Sequence, residues 1–125
     1  MAKILVVEDN ADLLAILRDV LGMDHEVRTA RRGEDAIDAA REDPPELVIM
    51  DLQLPGMSGI EAGRWIKREL GEVPVLALTA LAQNGDAEAV LRSGCCDAYM
   101  PKPASLEDIR RRVAGLLDGE DPGPG

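Results

Sequence analysis

Leu47-Val48-Ile49-Met50-Asp51-Leu52-Gln53-Leu54-Pro55-Gly56-Met57-Ser58-Gly59 is the stretch on which the fold turns. Four consecutive apolar residues run into a carboxylate, and a Pro/Gly-rich turn follows. An unbroken apolar run of this kind reads as a strand covered on both faces, the pattern of a parallel sheet. Asp51 then stands where that strand leaves the core. Open parallel sheets bind ligands at the carboxyl ends of their strands, so both fold and function depend on what else reaches that edge.

Upstream, Ile4-Leu5-Val6-Val7 reads as a first buried strand running into Glu8-Asp9. Asn10 is a good N-cap and Asp12 adds a carboxylate in the first helical turn. Leu13, Ile16, Leu17 and Val20 then recur at helical spacing, and Gly22 stops the helix. His25 to Thr29 is a short, more polar strand whose alternation suits an edge. Gly33 to Arg41 reads as a second helix with Ala36, Ile37 and Ala40 facing inward, ended by Pro44-Pro45.

Downstream, Ser58 can cap a third helix that buries Ile60, Ile66 and Leu70, half covers Trp65 and closes at Gly71. Pro74 to Leu78 is a fourth strand ending in Thr79. Asp86 to Arg92 is a shorter, Ala-rich helix followed by Gly94. Asp97 to Met100 is a short fifth strand leading into Pro101-Lys102-Pro103. Ser105 with Asp108 makes a capping box, and Leu106, Ile109, Val113 and Leu116 line the last helix. Strand and helix alternate five times, which calls for a parallel sheet with helices on both faces. Residues 1–118 form this domain, and 119–125, acidic and Pro/Gly-rich, read as a disordered tail or the start of a linker.

Bulk composition agrees. The chain has 125 residues, enough for one domain with a real core. Apolar residues make up 46% of it, but there is no Phe, one Trp and one Tyr, so the core must be aliphatic. The net charge of -10 argues against a nucleic-acid surface and suits basic partners or divalent cations. No apolar run is long enough to span a membrane, and no secretory signal opens the chain, so a cytoplasmic location is expected. Cys95 and Cys96 are adjacent, fitting neither a zinc nor a C-x-x-C pattern, and read as small buried or half-buried thiols.

The strand ends carry the chemistry. The first gives Glu8 and Asp9, the third Asp51, the fourth Thr79 and the fifth Lys102. Core packing asks for none of these. Carboxylates ~4 Å apart repel by roughly 4 kcal/mol at an effective dielectric of about 20, more than one lysine offsets. A hard divalent cation does offset it, and oxygen donors without His or Cys describe Mg²⁺ rather than zinc. A cation, an ammonium and a hydroxyl around one carboxylate make a phosphoryl-transfer site with Asp51 as a plausible nucleophile.

At these residues the sequence resembles the receiver (response regulator) domain of bacterial two-component and phosphorelay signalling. The marks are Glu8-Asp9, the D-x-x-L-P-G-M-S-G block from Asp51 to Gly59, the A-L-T-A run around Thr79, and Y-M-P-K-P from Tyr99 to Pro103. The resemblance covers residues 3 to 117. It implies a flavodoxin-like (CheY-like), doubly wound α/β fold with five helices and strand order 2-1-3-4-5. It implies Asp51 as phosphoacceptor, Mg²⁺ held by Asp9, Asp51 and the Gln53 carbonyl, and Glu8 acting through water. Lys102 would hold the phosphoryl group, with a cis bond to Pro103, and Thr79 and Tyr99 would form the switch pair. The partners implied are a histidine kinase or histidine phosphotransfer protein and a downstream protein target. No nucleic acid or membrane is expected, and the chain would be a monomer or weak dimer.

The pattern departs from the family at three places, the first being the acidic pair Glu8-Asp9, where many members have Asp-Asp. Ala104 follows Lys102-Pro103 where Phe is frequent, which implies looser packing under the last helix. Leu81, two residues past Thr79, is apolar, which implies a slowly hydrolysed phosphoaspartate. A stand-alone receiver is the first expectation; a module from a hybrid histidine kinase or a non-phosphorylated pseudo-receiver are the alternatives. A turnover phosphatase would want an acidic residue where Gln53 stands. A flavin domain would not place Glu8-Asp9 against a phosphate.

Overall fold

Ten elements alternate along the chain: β1 (Lys3–Val7), α1 (Ala11–Leu21), β2 (Glu26–Ala30), α2 (Gly33–Glu42), β3 (Leu47–Met50), α3 (Gly59–Glu69), β4 (Val75–Thr79), α4 (Asp86–Arg92), β5 (Ala98–Pro101) and α5 (Leu106–Leu117). The computed structural model describes residues 1–80 and 86–119. Leu81 and all of the expected tail except Gly119 lie outside them. The strands pair in parallel in the order β2-β1-β3-β4-β5, as expected. Register brings the strand ends level: Val7 lies opposite Met50, Met50 opposite Ala77, and Thr79 opposite Pro101.

Alternate side chains of each strand feed two cores. Leu5, Val7, Val48, Met50, Val75 and Ala77 pack with Ala36 and Ile37 of α2 and Ala62 and Ile66 of α3. Ile4, Val6, Leu47, Ile49, Leu76 and Leu78 pack with Leu14 and Leu17 of α1 and Ile109 and Val113 of α5. Each large aliphatic side chain so buried contributes about 1.5–3 kcal/mol relative to exposure. The edge strand β2 is polar, and Arg28 blunts it by donating to the Ala39 carbonyl at 3.2 Å.

The face of α1 differs from the expected one. Leu14, Leu17 and Leu21 turn to the sheet, while Ile16 is 45% exposed. The run Leu13-Leu14-Ala15-Ile16-Leu17 offers two overlapping apolar stripes, and spacing alone does not choose between them. Asn10 caps the helix, its Oδ1 accepting from Asp12 N–H and Leu13 N–H at 3.0 and 3.1 Å. Similarly, Leu106 of α5 is 37% exposed, while Ile109 and Val113 are buried. In α3 only Ile66 of the three expected aliphatics is fully buried; Ile60 and Leu70 are partly covered. Trp65 is half-buried, with the Arg41 guanidinium 5.0 Å from its ring centre. His25 precedes β2, and its Nδ1 accepts from Ala2 N–H at 3.1 Å. Cys95 and Cys96 are buried free thiols, as expected.

Two local features tie α3 to the rest. Gly63 lies so close to the loop before β5 that a Cβ there would sit 2.3 Å from the Cys95 carbonyl oxygen. Lys67 Nζ donates to the carbonyls of Gly71 and Val73 at 3.0 and 2.8 Å and pairs with Asp97 Oδ2 at 2.9 Å. Asp97 Oδ2 also accepts from Val75 N–H at 2.8 Å. One ammonium thus joins the end of α3 to the starts of β4 and β5.

Candidate functional site at the carboxyl edge

Backbone bonds that continue the sheet place the site residues. Glu8 N–H donates to the Ala30 carbonyl at 3.0 Å, Asp51 N–H to Val7 at 2.9 Å, and Lys102 N–H to Thr79 at 3.0 Å. Side chains that the sequence scatters across 94 positions therefore meet on fixed backbone (from 8 to 102). Lys102 Nζ lies 2.7 Å from Glu8 Oε1 and 3.0 Å from Asp51 Oδ2. The other oxygens are also engaged: Asn10 N–H donates to Glu8 Oε2, and Gln53 N–H to Asp51 Oδ1, each at 3.0 Å.

Burial makes this arrangement electrostatically demanding. Glu8 is 2% exposed and Asp51 5%, whereas Asp9 is exposed. Burial pushes the Glu8 carboxyl above its usual value, opposed by the bonds from Lys102 and Asn10. Burial pulls the Lys102 ammonium down, but the bonds to Glu8 and Asp51 outweigh it and hold it above its usual value. Glu8, Asp9 and Asp51 can each offer one oxygen such that all lie within 4.8 Å of one another. This all-oxygen donor set, carrying more negative charge than Lys102 neutralises, fits a hard divalent cation.

Thr79 is fully buried at the end of β4. Alternation puts it on the same sheet face as Val75 and Ala77. Tyr99 lies opposite Ala77 on β5 and is half-buried against that same cluster. The two expected switch residues therefore share a face. The Lys102-Pro103 peptide is cis, as the resemblance implies.

The structure adds two residues that the motif reading passed over. Arg31 Nη2 donates to the Asp9 carbonyl at 2.9 Å, tying the β2–α2 connection to the acidic loop. Gly59 opens α3 directly against the site: a Cβ there would lie 2.1 Å from the Asp51 carbonyl oxygen and 2.6 Å from Leu52 Cα. Its letter was legible in the block, but its reason, a backbone-to-backbone approach, was not. Gly59→Ala should cost about 3 kcal/mol, since either α3 or the Asp51 backbone must move. A thermal melt should fall by about 10 °C; an unchanged melt would contradict the packing described.

An aliphatic parallel sheet of this order, with an acidic cluster at its carboxyl edge, defines a signalling receiver. The family described as "Response regulator receiver domain" matches residues 4–114, and the chain belongs to it. Among curated proteins, the polar-differentiation response regulator DivK of Brucella ovis is 42% identical over 118 residues, covering 92% of this chain and 95% of DivK. DivK of Brucella abortus (strain 2308) matches equally. Among solved structures, the BeF3-activated DrrB receiver domain superposes with a TM-score of 0.85 at 32% identity, covering 94% of this chain and 98% of that one. A CheY-like receiver from Methanospirillum hungatei JF-1 gives 0.89 at 23% identity, over 96% of each chain, and speaks for the fold alone.

Receiver domains are the switches of two-component signalling; they meet histidine kinases or phosphotransfer proteins and downstream targets, and generally bind Mg²⁺ at an acidic pocket. Glu8, Asp9 and Asp51 form an acidic cluster that could hold a metal ion. Among the described residues, no helix is long and apolar enough to cross a membrane.

Proposed function

We propose that Asp51 is the phosphoacceptor of a single-domain response regulator, formed by residues 1–118, that receives its phosphoryl group from a histidine kinase or histidine phosphotransfer protein. The observation that carries this reading is the position of Asp51: nearly buried, at a strand end, 3.0 Å from the Lys102 ammonium. Its two oxygens are oriented by separate donors, Gln53 N–H and Lys102 Nζ. Such preorganised donors are the main source of rate in phosphoryl transfer. Asp9 and Asp51, with the Gln53 carbonyl, would hold Mg²⁺, and Glu8 would contribute through water. When bound, the cation neutralises carboxylate charge and draws in the phosphoryl oxygens.

Lys102 binds a phosphoryl oxygen in exchange for its contact with Asp51. The Thr79 hydroxyl turns to the phosphoryl group, and Tyr99 moves inward behind it. Their common face on β4 and β5 supports this coupling. The changed α4–β5–α5 surface is then read by a downstream protein in the cytoplasm. The chain is a phosphoacceptor rather than a turnover enzyme, and acts as a monomer or weak dimer.

Intact mass after incubation with acetyl phosphate and Mg²⁺ tests the reading. The wild type should gain one phosphoryl group, and the gain should vanish when Mg²⁺ is chelated. No gain in folded wild type would sink the proposal and leave a pseudo-receiver that signals by binding alone.

A further inference from the structure

A pocket of ≈ 360 Å³ opens beside the site, lined by Leu13, Leu78, Lys102, Pro103, Ala104 and Ile109. We propose that it seats the acyl chain of small acyl phosphates, so that the domain accepts phosphoryl groups from longer-chain acyl phosphates faster than from acetyl phosphate. This rests on the phosphoacceptor reading above and names a donor class for the same carboxylate.

The lining argues for an amphipathic occupant. Five of the six residues are apolar, and Lys102 already directs its ammonium to Glu8 and Asp51. Only its methylene stem is left to face the pocket. A ligand seated here has an apolar body and an anionic head within reach of that ammonium, which is the shape of an acyl phosphate. The walls come from α1, β4 and the start of α5, and Leu78 and Ile109 are each 2% exposed, so the pocket is preformed rather than opened by the ligand. Ala104 is part of its wall, and its small side chain takes up little of the space. The volume holds a short acyl chain.

In the transfer step, one Asp51 carboxylate oxygen forms a bond to phosphorus as the bond from phosphorus to the acyl oxygen breaks. The electron pair leaves with the acyl carboxylate, charge is conserved, and no proton moves.

The test compares rates of one-phosphate mass gain with acetyl and butyryl phosphate at equal, subsaturating concentrations in Mg²⁺. The two leaving carboxylates have nearly equal basicity, so the ratio reports binding of two further methylenes. Buried, these raise the rate about tenfold. The ratio should fall to about one in Ala104→Phe, which fills the pocket, and to an intermediate value in Ala104→Val. Each variant's acetyl rate is its own reference, so partial misfolding cancels. A wild-type ratio near one overturns the inference while the phosphoacceptor reading stands. A high ratio that survives Ala104→Phe also overturns it, because the chain then sits elsewhere. No gain from either donor in folded protein removes the phosphoacceptor reading and this inference together.

Discussion

Asp51→Asn is expected to take up no phosphoryl group and, in metal-free buffer, to be more stable than the wild type by about 1–2 kcal/mol. The lost chemistry follows from the loss of the nucleophile. The gained stability follows from charge. Asp51 sits within 4.8 Å of the ligand oxygens of Glu8 and Asp9 and has one cation, Lys102, beside it. Two repulsions and one attraction disappear together, so the balance favours the neutral amide. Its carbonyl oxygen can still accept from Gln53 N–H, so the loop keeps its shape. Saturating Mg²⁺ should reverse the order, because a cation at a hundred times its Kd stabilises the wild type by about 2.7 kcal/mol. Denaturant midpoints with and without Mg²⁺ check both halves. Phosphorylation of the Asn variant, or a metal-free variant less stable than the wild type, would contradict the site as described.

Lys102→Met should slow phosphoryl transfer by about a hundredfold or more and destabilise the fold by about 2–4 kcal/mol near neutral pH. The methionine preserves packing but leaves Glu8, 2% exposed, without its ammonium. The pH dependence has a definite sign. Burial already holds Glu8 above its usual value in the wild type. Between the unfolded and folded values the native state binds more protons than the unfolded chain, so stability falls as pH rises through that window. Without Lys102 the folded value rises further and the window extends upward. The variant should therefore regain stability, more than the wild type does, as pH is lowered from neutral toward the ordinary carboxylate range. The stability that Lys102 itself supplies is full below its usual value of 10.5 and is lost as pH rises through its higher folded value, in the wild type only. Unfolding midpoints in chelator across this range are the measurement. A Lys102→Met curve parallel to the wild type would contradict the Glu8–Lys102 pairing.

The central strands were legible because a two-sided strand needs an unbroken apolar run, and Ile4–Val7, Leu47–Met50 and Val75–Leu78 supply it, whereas their order followed only from the resemblance to receivers. The site was legible because Glu8, Asp51 and Lys102 follow the first, third and fifth strands, and a parallel sheet sends its strand ends to one edge. What stayed hidden depends on partners remote in sequence. The inward face of α1 is decided by how the helix leaves β1, not by the spacing of a leucine-rich run. Gly63 is required by the Cys95 carbonyl, and Lys67 by the carboxylate of Asp97, just before β5. Lys67 alone reads as a charge compensating the end of its helix. Ala104 was legible as a small residue in an unusual place; that it lines a pocket beside Lys102 needed the walls from α1 and β4.

On the proposed reading, Asp51 carries the phosphoryl group. Wild-type protein phosphorylated with acetyl phosphate can be reduced with borohydride, which converts an aspartyl phosphate to homoserine, and the modified peptide then sequenced by mass spectrometry. Homoserine at position 51 and at no other acidic residue is the result predicted. Conversion at Asp9 or Glu8 instead, or a phosphoryl group that resists borohydride, would contradict it.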